Sequence, residues 1–226
     1  MATVARNIII PERLQKPLQD FINIFHKKGF ECYLVGGCVR DFLLGNETYD
    51  YDFATNARPE DVMTLFRKVV PTGIKHGTVT VLYAGMEFEV TTYRSDGKYL
   101  DGRRPESVSF SDSLEEDVKR RDFTINGLAY DFINSEIIDL VGGIEDLDRK
   151  IVRTIGNPID RFSEDGLRTY RACRFAAKLD FVIEEETFRA IEKTLHIAAK
   201  VSAERIRDEI FKMLTADKPS RGFEYM

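Results

Sequence analysis

The order of apolar and polar residues near the start of the chain predicts a helix, a strand and a second, short helix. In the first segment, apolar residues recur every three or four positions and would cover one face of a helix: Leu14, Leu18, Phe21, Ile22 and Phe25. Cys32 to Val35 is a short apolar run typical of a strand, and Gly36-Gly37 ends it. Cys38 to Leu44 then favours a short helix. A strand, a glycine turn and a helix are therefore predicted in direct succession.

Acidic residues lie within two further strand patterns. The segment YDYDF alternates between aromatic and acidic side chains, so Asp50 and Asp52 would share one face of a strand. Residues 78–93 contain two runs rich in β-branched and aromatic side chains around an Ala-Gly pair, which predicts a hairpin. Glu87 and Glu89 would lie on the same side of its second strand.

The pattern changes character near Pro158. Strands and helices alternate before this residue, whereas only helical patterns follow it, and Ser163 is a suitable N-cap for the first of them. The predicted helices span residues 163–178, 185–194 and 202–214, with no further strand. We therefore expect one domain of strands and helices over residues 1–157 and a helical domain over residues 158–226.

Composition excludes several classes of protein. The chain has 226 residues, of which 43% are hydrophobic, and can bury a core. No run approaches the roughly 18 to 20 apolar residues of a membrane span, so we expect a soluble protein with no membrane partner. The cysteine usage indicates a reducing, cytoplasmic location. Three cysteines and three histidines, widely spaced, do not suit a disulfide framework or a histidine metal site, so any metal would be held by carboxylates. The net charge of −5 argues against a strongly basic nucleic-acid binder but is compatible with local basic patches.

Asp50 and Asp52 are the first candidates for chemistry. Carboxylates at positions i and i+2 of a strand stand about 7 Å apart at their Cα atoms and can share divalent cations, with Mg²⁺ the natural choice. The alternative is a solvated strand face. Upstream, the Gly-Gly turn opens a helix whose first N–H groups can bind phosphate, and Arg40 adds a cation. These residues together describe a nucleoside triphosphate held by backbone and arginine, with metal between its phosphates and the aspartates.

A third carboxylate would complete such a site. The predicted hairpin supplies one if its second strand lies beside the aspartate strand, and we choose Glu89 over Glu87; the alternative for either is an outward-facing hairpin residue. The chain contains no GxxxxGK[ST] or GxGxxG segment, so the phosphate-binding loops of ATPases and dinucleotide-binding proteins are excluded.

Arginines and one aspartate form a second candidate site on the helix expected from Ser163. Asp165 and Arg168 are three residues apart and would be neighbours on one face, where an acceptor and a guanidinium could contact the hydrogen-bonding edge of a base. The alternative is an intrahelical ion pair on a solvated face. With few acids to compensate them, the arginines of this segment predict a basic stripe facing phosphate: Arg161, Arg168, Arg171 and Arg174.

Several segments, in order from about residue 30 to 182, resemble one known family. They are LVGGCVRDFLLG (34–45), YDYDFAT (49–55), KHGTVTV (75–81), FEVTTYR (88–94), RRP (103–105), RRDFTIN (120–126), LVGG (140–143) and EDGLRTYRACRF (164–175). Together they are similar to the class II tRNA nucleotidyltransferases, the CCA-adding enzymes, and to the related bacterial poly(A) polymerases. A match of many segments in register is more specific than any single one.

The resemblance implies an α+β fold, a polymerase β-like nucleotidyltransferase head with a mixed sheet, followed by an all-helical neck. Through it, Mg²⁺ is expected on Asp50 and Asp52, and Glu89 completes the carboxylate set. The remaining matching positions imply nucleotide contacts: Gly37 and Arg40 on the triphosphate, Arg121 on the nucleotide, Asp165 and Arg168 templating CTP and ATP through base hydrogen bonds, and Arg171 and Arg174 as further contacts. The tRNA 3′-hydroxyl would attack the α-phosphate in line in a two-metal reaction, and Arg40 would help to stabilise the departing pyrophosphate.

The activity implied by the resemblance is CCA addition to the 3′ end of tRNA from CTP and ATP. The KHGTVTV segment and the loop RSDGKYLDGRRPES favour CCA addition over A-only addition, and both over poly(A) synthesis. A non-catalytic RNA-binding relative is an alternative of another class, which the intact Asp50, Asp52 and Glu89 oppose. Because the family has helical body and tail regions after the neck, we also expect this sequence to be part of a longer chain.

Overall fold

The computed structural model describes residues 3–4, 6, 8–97 and 108–226. The RRP segment at 103–105, and most of the loop that contains it, lie outside these residues. The described residues form two compact units. The first contains residues 3–95, 108–121 and 126–141, and the second contains residues 96–97, 122–125 and 142–226. The second unit thus includes residues 142–157, which lie ahead of the boundary expected near Pro158.

An eight-stranded mixed sheet forms the centre of the first unit, with the order β1-β10-β9-β2-β3-β6-β5-β4. Its strands are β1 (Thr3–Val4), β2 (Cys32–Val35), β3 (Tyr51–Thr55), β4 (Val69–Gly73), β5 (Thr78–Tyr83), β6 (Met86–Thr92), β9 (Leu128–Asp131) and β10 (Glu136–Asp139); β7 (Arg94–Asp96) and β8 (Val108–Phe110) form a separate ribbon. The predicted hairpin is confirmed as β5 and β6. The pairing of β3 with β6 is parallel, and it brings the aspartate strand beside the glutamate strand.

Helices and aromatic side chains cover both faces of this sheet. The helices of the first unit are α1 (Glu12–His26), α2 (Gly37–Leu43), α3 (Pro59–Leu65) and α4 (Leu114–Lys119), with a 3-10 turn at Ile74–His76. Phe21 of α1 packs on Phe88 with ring centroids 4.6 Å apart and on Phe53 at 4.8 Å. Ala54, the next residue of β3, belongs to a separate cluster with Leu114 of α4, because alternate residues of a strand face opposite sides.

The second unit is mainly helical. Its helices are α5 (Gly143–Arg149), α6 (Pro158–Glu164), α7 (Leu167–Leu179), α8 (Glu185–Lys193), α9 (Leu195–Ala198), α10 (Ala203–Leu214) and α11 (Pro219–Tyr225). It also contains the first two residues of a 3-10 turn that spans Thr124–Asn126. Two short strands, β11 (Ile151–Val152) and β12 (Val182–Ile183), pair in parallel. Across the described part of the chain, no helix has the length and apolar character needed to span a bilayer.

Two expectations for the second unit are wrong. The helix expected from Ser163 to residue 178 is two helices, because Asn157 caps α6 and α7 begins only at Leu167. Gly166 separates them, and a Cβ atom there would lie 2.8 Å from the Ile197 carbonyl oxygen. This break thus depends on a tertiary contact. The expectation of no strand after Pro158 missed β12, which is too short to show a period-two pattern.

Candidate functional site

The aspartates and the glutamate predicted to hold metal come from adjacent strands of the first unit. Asp52 lies on β3 and is paired in register with Glu89 on β6. Asp50 is exposed and immediately precedes β3, which begins at Tyr51 rather than at Tyr49 as expected. The parallel pairing therefore brings Glu89 beside Asp52, and strands paired in this way are about 4.8 Å apart.

These three carboxylates repel one another. Burial, followed by the charges of Asp50 and Glu89, raises the pKa of Asp52 to about 7, and only Arg121 acts in the opposite direction. Burial and the charge of Asp50 also raise the pKa of Glu89. A half-buried carboxylate with two like-charged neighbours and one arginine is short of positive charge. A divalent cation would supply that charge.

The donor set fits Mg²⁺ rather than a metal enclosed by protein. Within the described residues, no group of three or more His, Cys, Asp and Glu side chains is arranged to hold a metal ion. Mg²⁺ is commonly held by one or two carboxylates together with water and substrate phosphate oxygens, and a complete protein cage is not required. Asp50 and Asp52 match this pattern as two oxygen donors that leave coordination positions for other ligands.

The glycine turn at the start of α2 lies against the same aspartate. Gly36 has φ 77° and ψ −137°, a conformation that L side chains rarely adopt. A Cβ atom at Gly36 would lie 3.0 Å from Nη1 of Arg121 and 3.8 Å from Oδ2 of Asp52. The turn, Arg121 and Asp52 are therefore in close contact. The sequence pattern singled out Gly37 for phosphate, whereas Gly36 is the residue whose backbone and lack of a side chain the geometry requires.

Arg40 occupies a different environment from the one expected. Its side chain is only 3% exposed, with Nε and Nη2 donating to Oδ1 of Asp41 at 2.9 and 2.8 Å. Nη1 donates to the side chain of Asn126, and Nη2 lies 3.4 Å from the position of a Cβ at Gly37. Arg40 thus packs beneath the glycine turn as part of a buried network. The more exposed cation beside Asp52 is Arg121.

Arg121 is held in place by a carboxylate that sequence analysis did not identify. Asp117 on α4 is fully buried, and its Oδ2 accepts from Nη2 of Arg121 at 3.1 Å. Its Oδ1 accepts from Nε and Nη2 of Arg120 at 2.9 and 2.6 Å. Burial alone would raise the pKa of Asp117, but Arg121 and Arg120 outweigh it and hold that pKa below its usual value. The signal in the sequence was an acid four residues before the arginine, the spacing at which side chains meet on a helix, although α4 itself ends at Lys119.

In the second unit, Asp165 and Arg168 do not form the intrahelical ion pair that was the alternative interpretation. Asp165 lies before α7, and its carboxylate accepts from the backbone N–H of Leu167 at 3.0 Å and from both Nη atoms of Arg205 at 3.2 and 2.8 Å. Arg168 donates through Nη1 to Oε2 of Glu164 at 2.6 Å. Each candidate base-reading residue is therefore oriented by a separate partner.

The expected basic stripe with few compensating acids is wrong. Arg171 donates through Nε to Oδ2 of Asp122 at 2.8 Å, and its Nη1 lies 3.9 Å from Oε1 of Glu209. Arg174 donates to the other oxygen of Glu209, which is 4% exposed. Arg161, which lies on α6 and not on the helix of the others, pairs with Glu164. Glu164 is local, but Asp122 and Glu209 come from distant segments of the chain, which the local pattern could not show.

These pairings affect the pKa values of Arg174, which is buried, and of Arg171, which is partly exposed. Burial lowers the pKa of Arg174 even though Glu209 lies beside it. For Arg171, the charges of Asp122 and Glu209 outweigh burial, and its pKa is raised. Both guanidiniums thus depend on carboxylates from elsewhere in the unit.

Comparison with protein families identifies the relatives of this chain. Residues 32–153 match the family described as "Poly A polymerase head domain". The chain belongs to that family. Residues 180–226 match a second family, "Probable RNA and SrmB- binding site of polymerase A". The head-domain match covers the aspartates, Glu89, the glycine turn and Arg121, whereas Asp165 and the arginines of α7 lie between the two matched ranges.

Curated proteins and solved structures are similar to nearly the whole chain. A curated CCA-adding enzyme from Ligilactobacillus salivarius (strain UCC118) is 47% identical over 215 residues, which are 95% of this chain and 53% of the relative. The crystal structure of the Bacillus stearothermophilus CCA-adding enzyme in complex with CTP matches with a TM-score of 0.88 and 41% identity, covering 96% of this chain and 52% of that one. A Thermotoga maritima CCA-adding enzyme complexed with tRNA-CCA matches with a TM-score of 0.78 and 25% identity, covering 96% and 51%. The chain therefore spans about half the length of the relatives that it matches.

Proposed function

We propose that this chain carries the nucleotide-adding centre of a CCA-adding enzyme, which transfers CMP and AMP from CTP and ATP to the 3′ end of tRNA. The observation that carries the proposal is the set of three mutually repelling carboxylates, Asp50, Asp52 and Glu89, beside Gly36 and Arg121. Burial and the like charges nearby raise the pKa of Asp52, so its ionised form is destabilised unless a cation lies beside it. Carboxylates perturbed in this way are typical of functional sites.

The residues of the first unit would have separate tasks in this reaction. Bound Mg²⁺ would supply Lewis-acid activation of the tRNA 3′-hydroxyl and neutralise charge on the triphosphate. Asp50 and Asp52 would hold it, and Glu89 would add negative charge beside Asp52. Arg121, fixed by Asp117, would contact the nucleotide, and the backbone at Gly37 would contact the triphosphate. Arg40 would act mainly by supporting this turn from below, because its guanidinium is held by Asp41 and Asn126.

The residues of the second unit would select the nucleotide. Asp165 offers an acceptor and Arg168 offers donors, which is the combination that can contact the edge of a base. Arg171 and Arg174 would make further nucleotide contacts. Since both are already paired with carboxylates, they would contribute directed hydrogen bonds rather than a broad positive field.

The relatives favour CCA addition over the other activities of the family. The matched relative from L. salivarius is a CCA-adding enzyme, and the matched structures include complexes with CTP and with tRNA-CCA. A-only addition and poly(A) synthesis would use the same carboxylates and are outcomes of the test below. A non-catalytic RNA-binding relative would not need to keep three carboxylates in a repelling cluster. We propose that the reaction takes place in the cytoplasm, where tRNA, CTP and ATP would be available.

The test is incubation of the protein with tRNA that ends at the discriminator nucleotide, with CTP alone, ATP alone or both, followed by sequencing of the product ends. We expect CC ends with CTP and CCA ends with both nucleotides. Addition of a single A to tRNA ending in CC, with no use of CTP, would indicate A-only activity. Long A tails would indicate poly(A) synthesis, and unchanged ends with intact tRNA binding would indicate the non-catalytic alternative.

A further inference from the structure

Arg205 makes the most direct contact with the aspartate proposed to read the base. It lies on α10, and its two Nη atoms donate to the two oxygens of Asp165, 40 residues earlier in the chain, at 3.2 Å for Oδ1 and 2.8 Å for Oδ2. The side chains are 25% and 19% exposed, so the pair is partly enclosed but not sealed. A two-point contact of this kind fixes the plane of the carboxylate as well as its position.

The hydrogen bonds already made by the Asp165 carboxylate determine how many acceptor positions remain for a ligand. A carboxylate has four lone-pair positions, two on each oxygen. Oδ1 accepts from the N–H of Leu167 at 3.0 Å and from Nη1 of Arg205, so both of its positions are used. Oδ2 accepts from Nη2 of Arg205, its one partner among the residues that the structure describes. Asp165 therefore presents a single acceptor position, in a direction set by Arg205.

A single fixed acceptor distinguishes two classes of base. Cytosine and adenine carry an exocyclic amino group, which donates, whereas uracil and guanine carry a carbonyl oxygen at the corresponding position. An acceptor facing an amino group forms a hydrogen bond, and an acceptor facing a carbonyl is repelled. A carboxylate free to rotate could instead turn toward the ring N–H groups of uracil or guanine, and this would weaken the distinction.

We propose that Arg205 is a positioning residue for nucleotide selection: by fixing Asp165, it favours bases with an exocyclic amino group over bases with a carbonyl. This inference rests on the proposed function, because it assumes that Asp165 faces the base. It goes beyond that function by assigning part of the selectivity to a residue of α10 that would not touch the nucleotide. Lysine could not replace Arg205 fully, since an ammonium group lacks the planar two-point geometry.

The test compares Arg205→Ala, Arg205→Lys and Asp165→Ala with the unchanged protein. Arg207→Ala is the matched control, because Arg207 lies on the same helix and pairs with Asp208 where both side chains are more than half exposed. Dissociation constants for CTP, UTP, ATP and GTP are measured with Mg²⁺ present, together with misaddition of U or G to tRNA. For Arg205→Ala we expect the preference for CTP over UTP to fall by about tenfold, the size of one lost base-reading contact, with a smaller fall for Arg205→Lys. Arg207→Ala should keep the original preference.

The possible failures are distinguishable. If Asp165→Ala alters the preference and Arg205→Ala does not, the inference is wrong and the proposed base reading stands. An unaltered preference in Asp165→Ala would instead contradict the proposed base reading itself. A purely structural role for Arg205 would lower the affinity for all four nucleotides equally and also lower the Tm, which would overturn the inference. Should Arg205→Ala not fold, the comparison of Arg205→Lys with Arg207→Ala decides the question in the same way.

Discussion

The carboxylates of the first unit and the arginines of the second unit are organised in opposite ways. Asp50, Asp52 and Glu89 repel one another, and among the described residues Arg121 is the only cation that lowers the pKa of Asp52. By contrast, Arg168, Arg171 and Arg174 each pair with a carboxylate. The partner of Arg168 is four residues away, and the partners of the other two arginines are distant in sequence. The carboxylates of the first unit therefore have too little positive charge near them, whereas each of these arginines in the second unit has a carboxylate beside it.

This contrast indicates different kinds of ligand. An acidic cluster around a half-buried aspartate, with one arginine beside it, gains most from a mobile dication and the phosphates that accompany it. Paired guanidiniums have little net charge to offer but are held in defined orientations, which suits recognition of a particular hydrogen-bonding edge. Charge would therefore be the main contribution of the first unit to nucleotide addition, and geometry the main contribution of the second.

The largest expected effect follows from removing charge from the acidic cluster. Asp52→Asn should lower the rate of nucleotide addition by about 1,000-fold or more, because metal activation supplies several kcal/mol and each 1.36 kcal/mol is tenfold. Without Mg²⁺, the Tm of this variant should be unchanged or higher, since repulsion from Asp50 and Glu89 is relieved. Rates from single-turnover assays and melting curves measure the two effects. Glu87→Gln, on the same strand, is the control, and a near-normal rate for Asp52→Asn would break the contrast.

Removing Glu209, which contacts two arginines, should mainly lower the free energy of unfolding. Glu209→Ala leaves the buried guanidinium of Arg174 without its carboxylate and removes a longer contact to the partly exposed Arg171. Loss of one member of a buried pair costs about 3 to 5 kcal/mol. The free energy of unfolding in urea measures this cost. Glu185→Ala removes an exposed pair with Arg189 and should change stability by less than about 1 kcal/mol. Equal effects of the two substitutions would show that the arginines do not depend on their carboxylates.

Nucleotide selectivity should change when the residues proposed to read the base are removed. Asp165→Ala and Arg168→Ala should each reduce discrimination of CTP and ATP from UTP and GTP by about 1 to 3 kcal/mol, while binding of the triphosphate itself changes less. Competition assays with the four nucleotides measure this ratio. Asp208→Ala, at an exposed position of the same unit, provides a control. If both variants keep the original preference, the second unit contributes no base reading.

The smallest expected effect is a pH dependence in the first unit. The folded-state pKa of Asp117 is lowered from its usual value of 3.8, so its contribution to stability is present above that value and is lost as the pH falls through the folded pKa. The unchanged protein should therefore lose stability steeply below about pH 4. Asp117→Asn should have a flatter profile there, measured by urea unfolding between pH 3 and 6. Identical slopes of stability against pH in the two proteins would show that Asp117 does not cause this pH dependence.

Local patterns were sufficient for much of the first unit. The hairpin over residues 78–93 and the strand-turn-helix around Gly36 depend on neighbours in sequence, and the structure confirms them. The YDYDF pattern is confirmed only from Tyr51 onward, because Asp50 lies before the strand. The choice of Glu89 needed one further fact, the parallel pairing of β3 with β6, which a strand pattern does not contain. The burial of Arg40 was also missed, because it depends on Asn126, 86 residues away.

The second unit was predicted less well for the same physical reason. Its polar contacts join distant residues, such as Arg174 with Glu209 and Asp165 with Arg205. The break between α6 and α7 likewise depends on the packing of Gly166 against Ile197. Periodicity reports which face of an element is apolar, but it does not report which charged groups meet across elements. The pairing of the arginines therefore became visible only in the folded chain.

Mn²⁺ binding tests most directly whether the carboxylates of the first unit form a metal site. It is measured at neutral pH from the electron paramagnetic resonance signal of the free ion. We predict saturable Mn²⁺ binding to the unchanged protein, strengthened by CTP, and loss of this binding in Asp52→Asn. Glu87→Gln should bind as the unchanged protein does, because Glu87 is not part of the cluster. Undiminished Mn²⁺ binding by Asp52→Asn, with or without CTP, would contradict the claim that these carboxylates form the metal site of nucleotide addition.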